Sequence, residues 1–545
     1  MQESDLRKSV AELLVIRASG HLFDSQRLYP QWELNNKELK RLLGIGVGGV
    51  ILFGGSAHEV EQRSKTLKSW AGKPLLICAD VEEGLGQRFQ GGTWLVPPLA
   101  VGQIHRKDPA KAIELAKNYG VCTGFQARMC GLNWILAPVC DINNNPNNPV
   151  INMRAWGEDP VTVSALIHSF NRGLASQGVL TCAKHFPGHG DTCIDSHLGL
   201  PILDHDLNRL KEFEFLPFKA AITSGVDSVM SAHVLLPNID SKYPATVSPK
   251  ILNLLRENLF FDGLVVTDAL IMESIKKTYG SREAAVMAFA AGADLLMMPE
   301  NPDDVIDAIC ESLLSGRVPL QRLDQALHRR KKVLSKFEAS TPKLTSDKVH
   351  NDLHEIERDW DRNLAEELIS YSIKLPHQVV LGENYDGINM VRVDSVLPCP
   401  FLTPVAPALS VPQEAGYRSV LSHQLGIDPW QDDPENPLAL DRFGKGSFFV
   451  QLFVRGHPFR GALDNQEPWL AAIKQLQRQN RLSGLVVYGN PYLWDELLPF
   501  LNSSVAVAYS PGQMPAAQRQ VLNSLFQKRN LKKGFQSQQN FEFTD

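Results

Sequence analysis

The chain has 545 residues, room for three or four average domains or for one barrel of about 250 residues with a second unit beside it. Lys and Arg number 55 against 60 Asp and Glu, a net charge of −5, with 21% of residues charged and 43% hydrophobic; this ordinary globular composition argues against a general nucleic-acid binder. No uncharged apolar run reaches about 18 residues, because the stretches at 42–57 and 396–413 are broken by glycine or proline, so no membrane span is expected.

The start, MQESDLRKSV, lacks the basic, apolar, small-residue order of a secretory signal, which leads to the expectation of a cytoplasmic protein. Eight scattered cysteines without a CxxC pair, several inside apolar runs (Cys78, Cys140, Cys182), read as reduced, buried thiols.

Short apolar runs rich in β-branched residues recur between longer amphipathic segments. They are LLVIRA from Leu13, GGVILF from Gly48, PLLICAD from Pro74, NWILAPV from Asn133, VLTCAKH from Val179, DSVMSAH from Asp227, LVVTDAL from Leu264 and ADLLMM from Ala293. Eight buried strands alternating with helices predict an α/β fold with an N-terminal (β/α)₈ TIM barrel, a doubly wound open sheet being the alternative. Both place chemistry at the carboxyl ends of the strands.

Residues 323–337, ending in RRKKVLSKF, read as a last basic helix, and ASTPKLTSD after it has linker composition. The expected organisation is a catalytic barrel over 1–338, a linker and connecting helix over 339–374, a smaller sandwich-like α/β domain over 375–534, and a polar tail over 535–545. Strands of the second domain are expected at HQVVLG from His377, SFFVQLFV from Ser447, GLVVYG from Gly484 and VAVAYS from Val505, with an irregular Pro-rich stretch over 397–436.

The densest polar cluster, KHFPGHGDTCIDSH from Lys184 to His197, follows the fifth strand. It admits three readings: a polar surface loop, a metal site using His185, His189, Asp191 and His197, or acid/base chemistry. The H-x₃-H-x-D spacing fits no strong metal signature, so no metal or other cofactor is assigned. Acid/base chemistry needs an imidazole titrating near the working pH and a carboxylate to orient it, and Asp195 with His197 supplies that pair.

Asp268 ends the seventh run, where a helix N-cap is its structural alternative. Asp80, Glu82 and Arg88 follow the third run; Asp141 and Arg154 follow the fourth. Charges from several strands at one mouth point to a polar ligand carrying many hydroxyls.

Together KHFPGHGDT…DSH, VMSAHVLLP, PATVS, FFDGLVVTDAL and GADLLMMP resemble family 3 glycoside hydrolases, in particular the bacterial β-N-acetylglucosaminidases of cell-wall recycling; the match runs in order over residues 10–335. The resemblance implies a retaining exo-acting enzyme on small carbohydrate fragments. Asp268 would be the nucleophile and His197 the general acid/base oriented by Asp195. Asp80, Arg88, Arg154, Lys184 and His185 would hold the hydroxyls of the terminal sugar, with Met230 and His233 lining the same mouth. Other implied possibilities are a β-glucosidase or β-xylosidase, or phosphorolysis of an N-acetylglucosaminide; a metal-dependent hydrolase and a non-catalytic sugar-binding barrel lie further off.

The chain departs from the family's D-x-E-G-G-R at Glu83 and Leu85, and has Asn152 where glycine and Trp156 where phenylalanine is usual. Every assigned residue lies inside the barrel, so a chain ending near Lys336 is expected to retain the site.

Three motifs carry no function. Gly44 to Gly49 matches GxGxxG but precedes a strand, the wrong order for a dinucleotide fold. The basic runs at 329–332 and 528–533 are solvated helix faces. Asn502-Ser503-Ser504 is a glycosylation sequon only in a secreted chain.

Overall fold

Strands buried on both faces read as continuous apolar runs, and in the computed structural model each of the eight N-terminal runs forms a parallel strand. These are β1 (Leu14–Ser19), β2 (Gly49–Phe53), β3 (Leu76–Ala79), β4 (Trp134–Ile135), β5 (Leu180–Phe186), β6 (Ser228–Ser231), β7 (Leu264–Thr267) and β8 (Leu296–Met297). The structure describes residues 3–194, 199–340, 356–394, 397, 399–423, 426–455 and 467–526. The pairing order is β7-β6-β5-β4-β3-β2-β1-β8, and a parallel bridge between Val266 and Leu295 joins its ends. The sheet thus all but closes into a barrel. A doubly wound sheet would reverse its strand order part-way, and this one follows the chain.

The barrel interior is filled by Val15, Ile51, Leu76, Cys78, Trp134, Leu180, Cys182, Met230, Leu264, Val266 and Met297, among others. Helices between the strands start on side-chain caps: Asn35 accepts from Glu38 N ahead of Asn36–Ile45, and Asp159 from Thr162 N ahead of Pro160–Ala175. Gly46, in the GxGxxG match, ends the first of these helices at φ +124°, while a Cβ on Gly48 would meet Glu12 O. Those glycines serve a tight helix-to-strand turn. The last barrel helix runs Leu320–Ser340 and the connecting helix Asp359–Ser372. Among the described residues no helix is long and apolar enough to cross a membrane.

The chain divides into two compact units, one comprising 1–372 with 455–466, the other 373–454 with 467–545. In the second, five parallel strands pair in the order β10-β9-β11-β12-β13: β9 (Ile388–Val393), β10 (Arg418–Ser422), β11 (Phe448–Val454), β12 (Leu482–Gly489) and β13 (Ala506–Ser510). One face packs Met390, Val450, Leu452 and Val487 against Trp469, Ile473 and Trp494; on the other, Gln451 Nε2 donates to Ala408 O of the helix Pro407–Glu414.

Three of the expected strands of this unit form, but HQVVLG does not. Val380 is exposed, and Leu381 makes only a single bridge, to Phe526. INMVRV and RSVLS take its place, the latter inside the stretch expected to be irregular. In β9 the polar Asn389 and Arg392 interrupt the apolar pattern, yet both are buried because Asn389 donates to Ala408 O and Ser419 Oγ and Arg392 pairs with Glu467. The tail over 535–545 lies outside the described residues.

Candidate active site

Side chains alternate faces along a strand, so the residue two beyond an inward one also points inward. Val15, Cys78, Cys182 and Val266 belong to the interior, and two residues on from each stand Arg17, Asp80, Lys184 and Asp268. This register sets four ionisable side chains above the apolar layer at the carboxyl-end rim, where a barrel puts its chemistry.

Lys184 is buried, with Nζ 2.7 Å from Asp80 Oδ1 and 2.6 Å from Glu82 Oε1. Glu82 also receives two bonds from Arg154, Nε to Oε2 and Nη2 to Oε1, each 2.8 Å. Arg154 Nη2 lies 3.4 Å from His185 Nε2, and His185 Nδ1 lies 2.7 Å from Asp141 Oδ2. Asp141 accepts further bonds from the backbone N–H groups of His185 and His189, the latter at 2.7 Å. Asn148 locks the loops after β4 and β5 together by donating to His189 O and Gly190 O.

Burial works against charge on Glu82, but the Arg154 and Lys184 cations outweigh it and hold the carboxyl well below the usual carboxylate range. Lys184 shows the complement: burial would lower it, and Asp80 and Glu82 raise it. Asp141, also opposed by burial, is held below its ordinary value by His185. For His189 burial prevails and pushes the imidazole down to about 4, against the pull of Asp141. At neutral pH the site therefore holds fixed charges of both signs beside a neutral imidazole. Asp80, Arg154 and His185 keep side-chain exposures of 23%, 17% and 7%, enough to offer acceptors and donors to a ligand's hydroxyls.

Of the remaining sequence-derived residues, Arg88 is exposed and its Nε donates to Asp80 O at 2.9 Å. Asp268 follows β7, is partly exposed, and accepts from Ala269 N at 2.7 Å. It does not cap a helix; the next one starts at Glu273.

Met230 and His233 are both buried. Met230 belongs to the barrel interior, while His233 sets Nδ1 2.8 Å from Thr246 Oγ1 and Nε2 3.1 Å from Ala269 O, bracing the segment just after Asp268. Asp195 and His197 lie outside the described residues.

Of the residues in the metal reading, His185, His189 and Asp191 each have another partner, and His197 lies outside the described residues. His185 has Asp141 on one nitrogen and the Arg154 cation near the other, His189 Nδ1 lies 2.8 Å from Thr192 Oγ1, and Asp191 lies 3.3 Å from His205. A guanidinium at that distance repels a metal ion. Among the described residues no group of three or more His, Cys, Asp or Glu side chains is arranged to hold one.

The sequence counts Glu82 and Asp141 among the charges at the mouth without a role of their own, although both stand just past a strand end. Arg17 was read only as strand interior, and its inward register was the available signal.

The departures from the family pattern have structural counterparts. Glu83 is fully buried, paired with both terminal nitrogens of Arg455 and accepting from Trp94 Nε1 at 3.0 Å; Arg455 groups with the barrel unit although it directly follows β11. Asn152 has φ +38°, a conformation glycine adopts most easily and asparagine tolerates. Trp156 is buried against Tyr119 and Phe170, with ring centroids at 5.4 and 5.0 Å.

Comparison with known proteins gives two family matches: the glycosyl hydrolase family 3 N-terminal domain over residues 5–333, and the bacterial glycosyl hydrolase family 3 C-terminal domain over 381–527. The chain is 35% identical over 284 residues to a beta-hexosaminidase of Stenotrophomonas maltophilia, covering 51% of this chain and 84% of that protein. It is 31% identical over 340 residues to beta-hexosaminidase A of Pseudoalteromonas piscicida, and spans only 56% of that protein's length. A solved family 3 beta-N-acetylglucosaminidase of a Paenibacillus species superposes with a TM-score of 0.74 at 28% identity, covering 95% of each chain.

Proposed function

Because this chain belongs to glycosyl hydrolase family 3, we propose that it is a retaining exo-β-N-acetylglucosaminidase acting on soluble peptidoglycan fragments in the cytoplasm. The observation that carries the reading is the buried network Asp80–Lys184–Glu82–Arg154–His185 at the same strand ends as Asp268. The hydroxyls of a terminal sugar would bond the open edges of Asp80, Arg88, Arg154, Lys184 and His185, leaving the anomeric carbon to the Asp268 carboxylate.

Asp268 attacks that carbon as the bond to the leaving oxygen breaks, and His197 gives the oxygen its proton. The resulting glycosyl ester is cleaved by water, whose proton returns to His197, with Asp195 orienting the imidazole throughout. One of the two carboxylates usual in such enzymes is thus replaced by an Asp–His pair. The relatives' names as beta-hexosaminidases support a hexosaminide, and the description of the Paenibacillus structure as a beta-N-acetylglucosaminidase supports N-acetylglucosamine as the sugar. An exposed, free Cys193 thiol favours a reducing compartment.

A panel of aryl β-glycosides assayed with and without EDTA tests the proposal. The N-acetylglucosaminide should be turned over best and EDTA should change nothing. Preference for the glucoside or xyloside would replace the sugar assignment, and loss of activity on chelation would overturn the mechanism.

A further inference from the structure

The loop after β1 carries an aromatic pair that the chemistry above does not use. Tyr29 and Trp32 stack with ring centroids 5.7 Å apart and planes 29° from parallel, yet they remain 46% and 40% exposed. Beneath them Arg17 lies 5.4 Å from the Tyr29 ring and 5.6 Å from that of Trp32, and packs on Phe53 at 4.2 Å. Glu33, at 3.7 Å, balances its charge from beyond hydrogen-bond distance, and the buried Arg17 Nε has no hydrogen-bond partner. A buried donor without an acceptor, beside large exposed rings, has the composition of a binding surface waiting for a polar ligand with an apolar face.

Its position ties it to the reaction. Arg17 stands on the same inward rim as Asp80, two residues beyond an interior position of its strand. Arg17, Trp32, Ile271 and Met298 line a recess with room for about one water-sized group, and Ile271 is three residues beyond Asp268. The charged network that suits a terminal sugar occupies the ends of β3 to β5, whereas the rings and Arg17 lie on β1 and the loop after it, with Met298 after β8 at the recess.

We propose that Tyr29, Trp32 and Arg17 form the subsite for the sugar on the leaving-group side of the scissile bond, the rings stacking on its C–H face and Arg17 Nε donating to one of its oxygens. The proposal rests on the glycosidase reading and adds to it the residues that select a sugar, rather than a ringless group, on the leaving side.

The test compares the full-length protein with its Trp32→Ala and Trp32→Phe variants on two substrates, the β-linked disaccharide of N-acetylglucosamine and N-acetyl-β-glucosaminyl fluoride, whose leaving group has no ring. Trp32→Ala should raise KM for the disaccharide about tenfold relative to the fluoride, with kcat little altered, and Trp32→Phe should recover part of the difference. Equal losses on both substrates, or no loss on either, would overturn the subsite while leaving the glycosidase reading standing. Failure of the unaltered protein to turn over either substrate would overturn both.

Discussion

Glu82 and Arg154 meet through two parallel bonds of 2.8 Å, with Lys184 on the same carboxylate at 2.6 Å. Glu82 thus compensates Arg154, from the segment after β4, and shares with Asp80 the compensation of Lys184 on β5. Glu82→Gln should leave both cations short of a partner and cost about 3–5 kcal/mol of unfolding free energy in urea, together with a higher KM. Unchanged stability would show that the pair is dispensable to the fold.

Asp268→Asn should keep the fold and abolish nearly all turnover, because the nucleophile forms the covalent bond directly. Trapping with a 5-fluoro sugar and peptide mass mapping should place the adduct on Asp268. An adduct on Glu82 or Glu273 would refute the assignment.

His197→Ala should hurt most where the leaving oxygen needs a proton, so a nitrophenyl glycoside should retain more relative activity than a disaccharide. Equal losses would count against His197 as the acid. The same residue bears on the acceptor, since an imidazole repels phosphate less than a carboxylate does. Only free sugar is expected in phosphate buffer, and sugar 1-phosphate would move the assignment to phosphorolysis.

Acid should destabilise the protein in two stages. His189 is depressed from 6.5 to about 4 in the folded state, so between those values the unfolded chain binds a proton that the folded one refuses, and stability falls as pH drops through this window. Glu82 and Asp141 are also depressed; their contribution is present above their unfolded values and is lost below about pH 4.5 as they protonate. Urea unfolding of His189→Gln from pH 7 to 4 should show a flatter upper stage. An unchanged profile would show that His189 does not set it.

Glu83, fully buried, and the half-buried Arg455 make a second pair next to the first. Ending the chain near Lys336, expected from the sequence to spare the site, removes the Arg455 that neutralises Glu83. Arg455→Met should therefore cost about 3–5 kcal/mol and raise KM through the adjoining Glu82, and Arg455→Met with Glu83→Gln should recover much of both. Additive losses in the double variant would show that the two residues act independently.

The eight barrel strands could be read from the chain alone because a parallel strand buried on both faces is a continuous apolar run, and LLVIRA, PLLICAD and LVVTDAL announce themselves that way. Their closing charges, Asp80, Lys184 and Asp268, could be read for the same reason, since each stands where a run gives way to polar residues. INMVRV could not: Asn389 and Arg392 look like surface residues until partners from other segments accompany them into the interior. Nor could the partnerships of the site, because Glu82 meets Arg154 across 72 residues, His185 meets Asp141 across 44 and Glu83 meets Arg455 across 372. Local pattern records whether a side chain faces oil or water; the pairing of buried charges depends on distances that exist only once the sheet has curved and brought its strand ends to one rim.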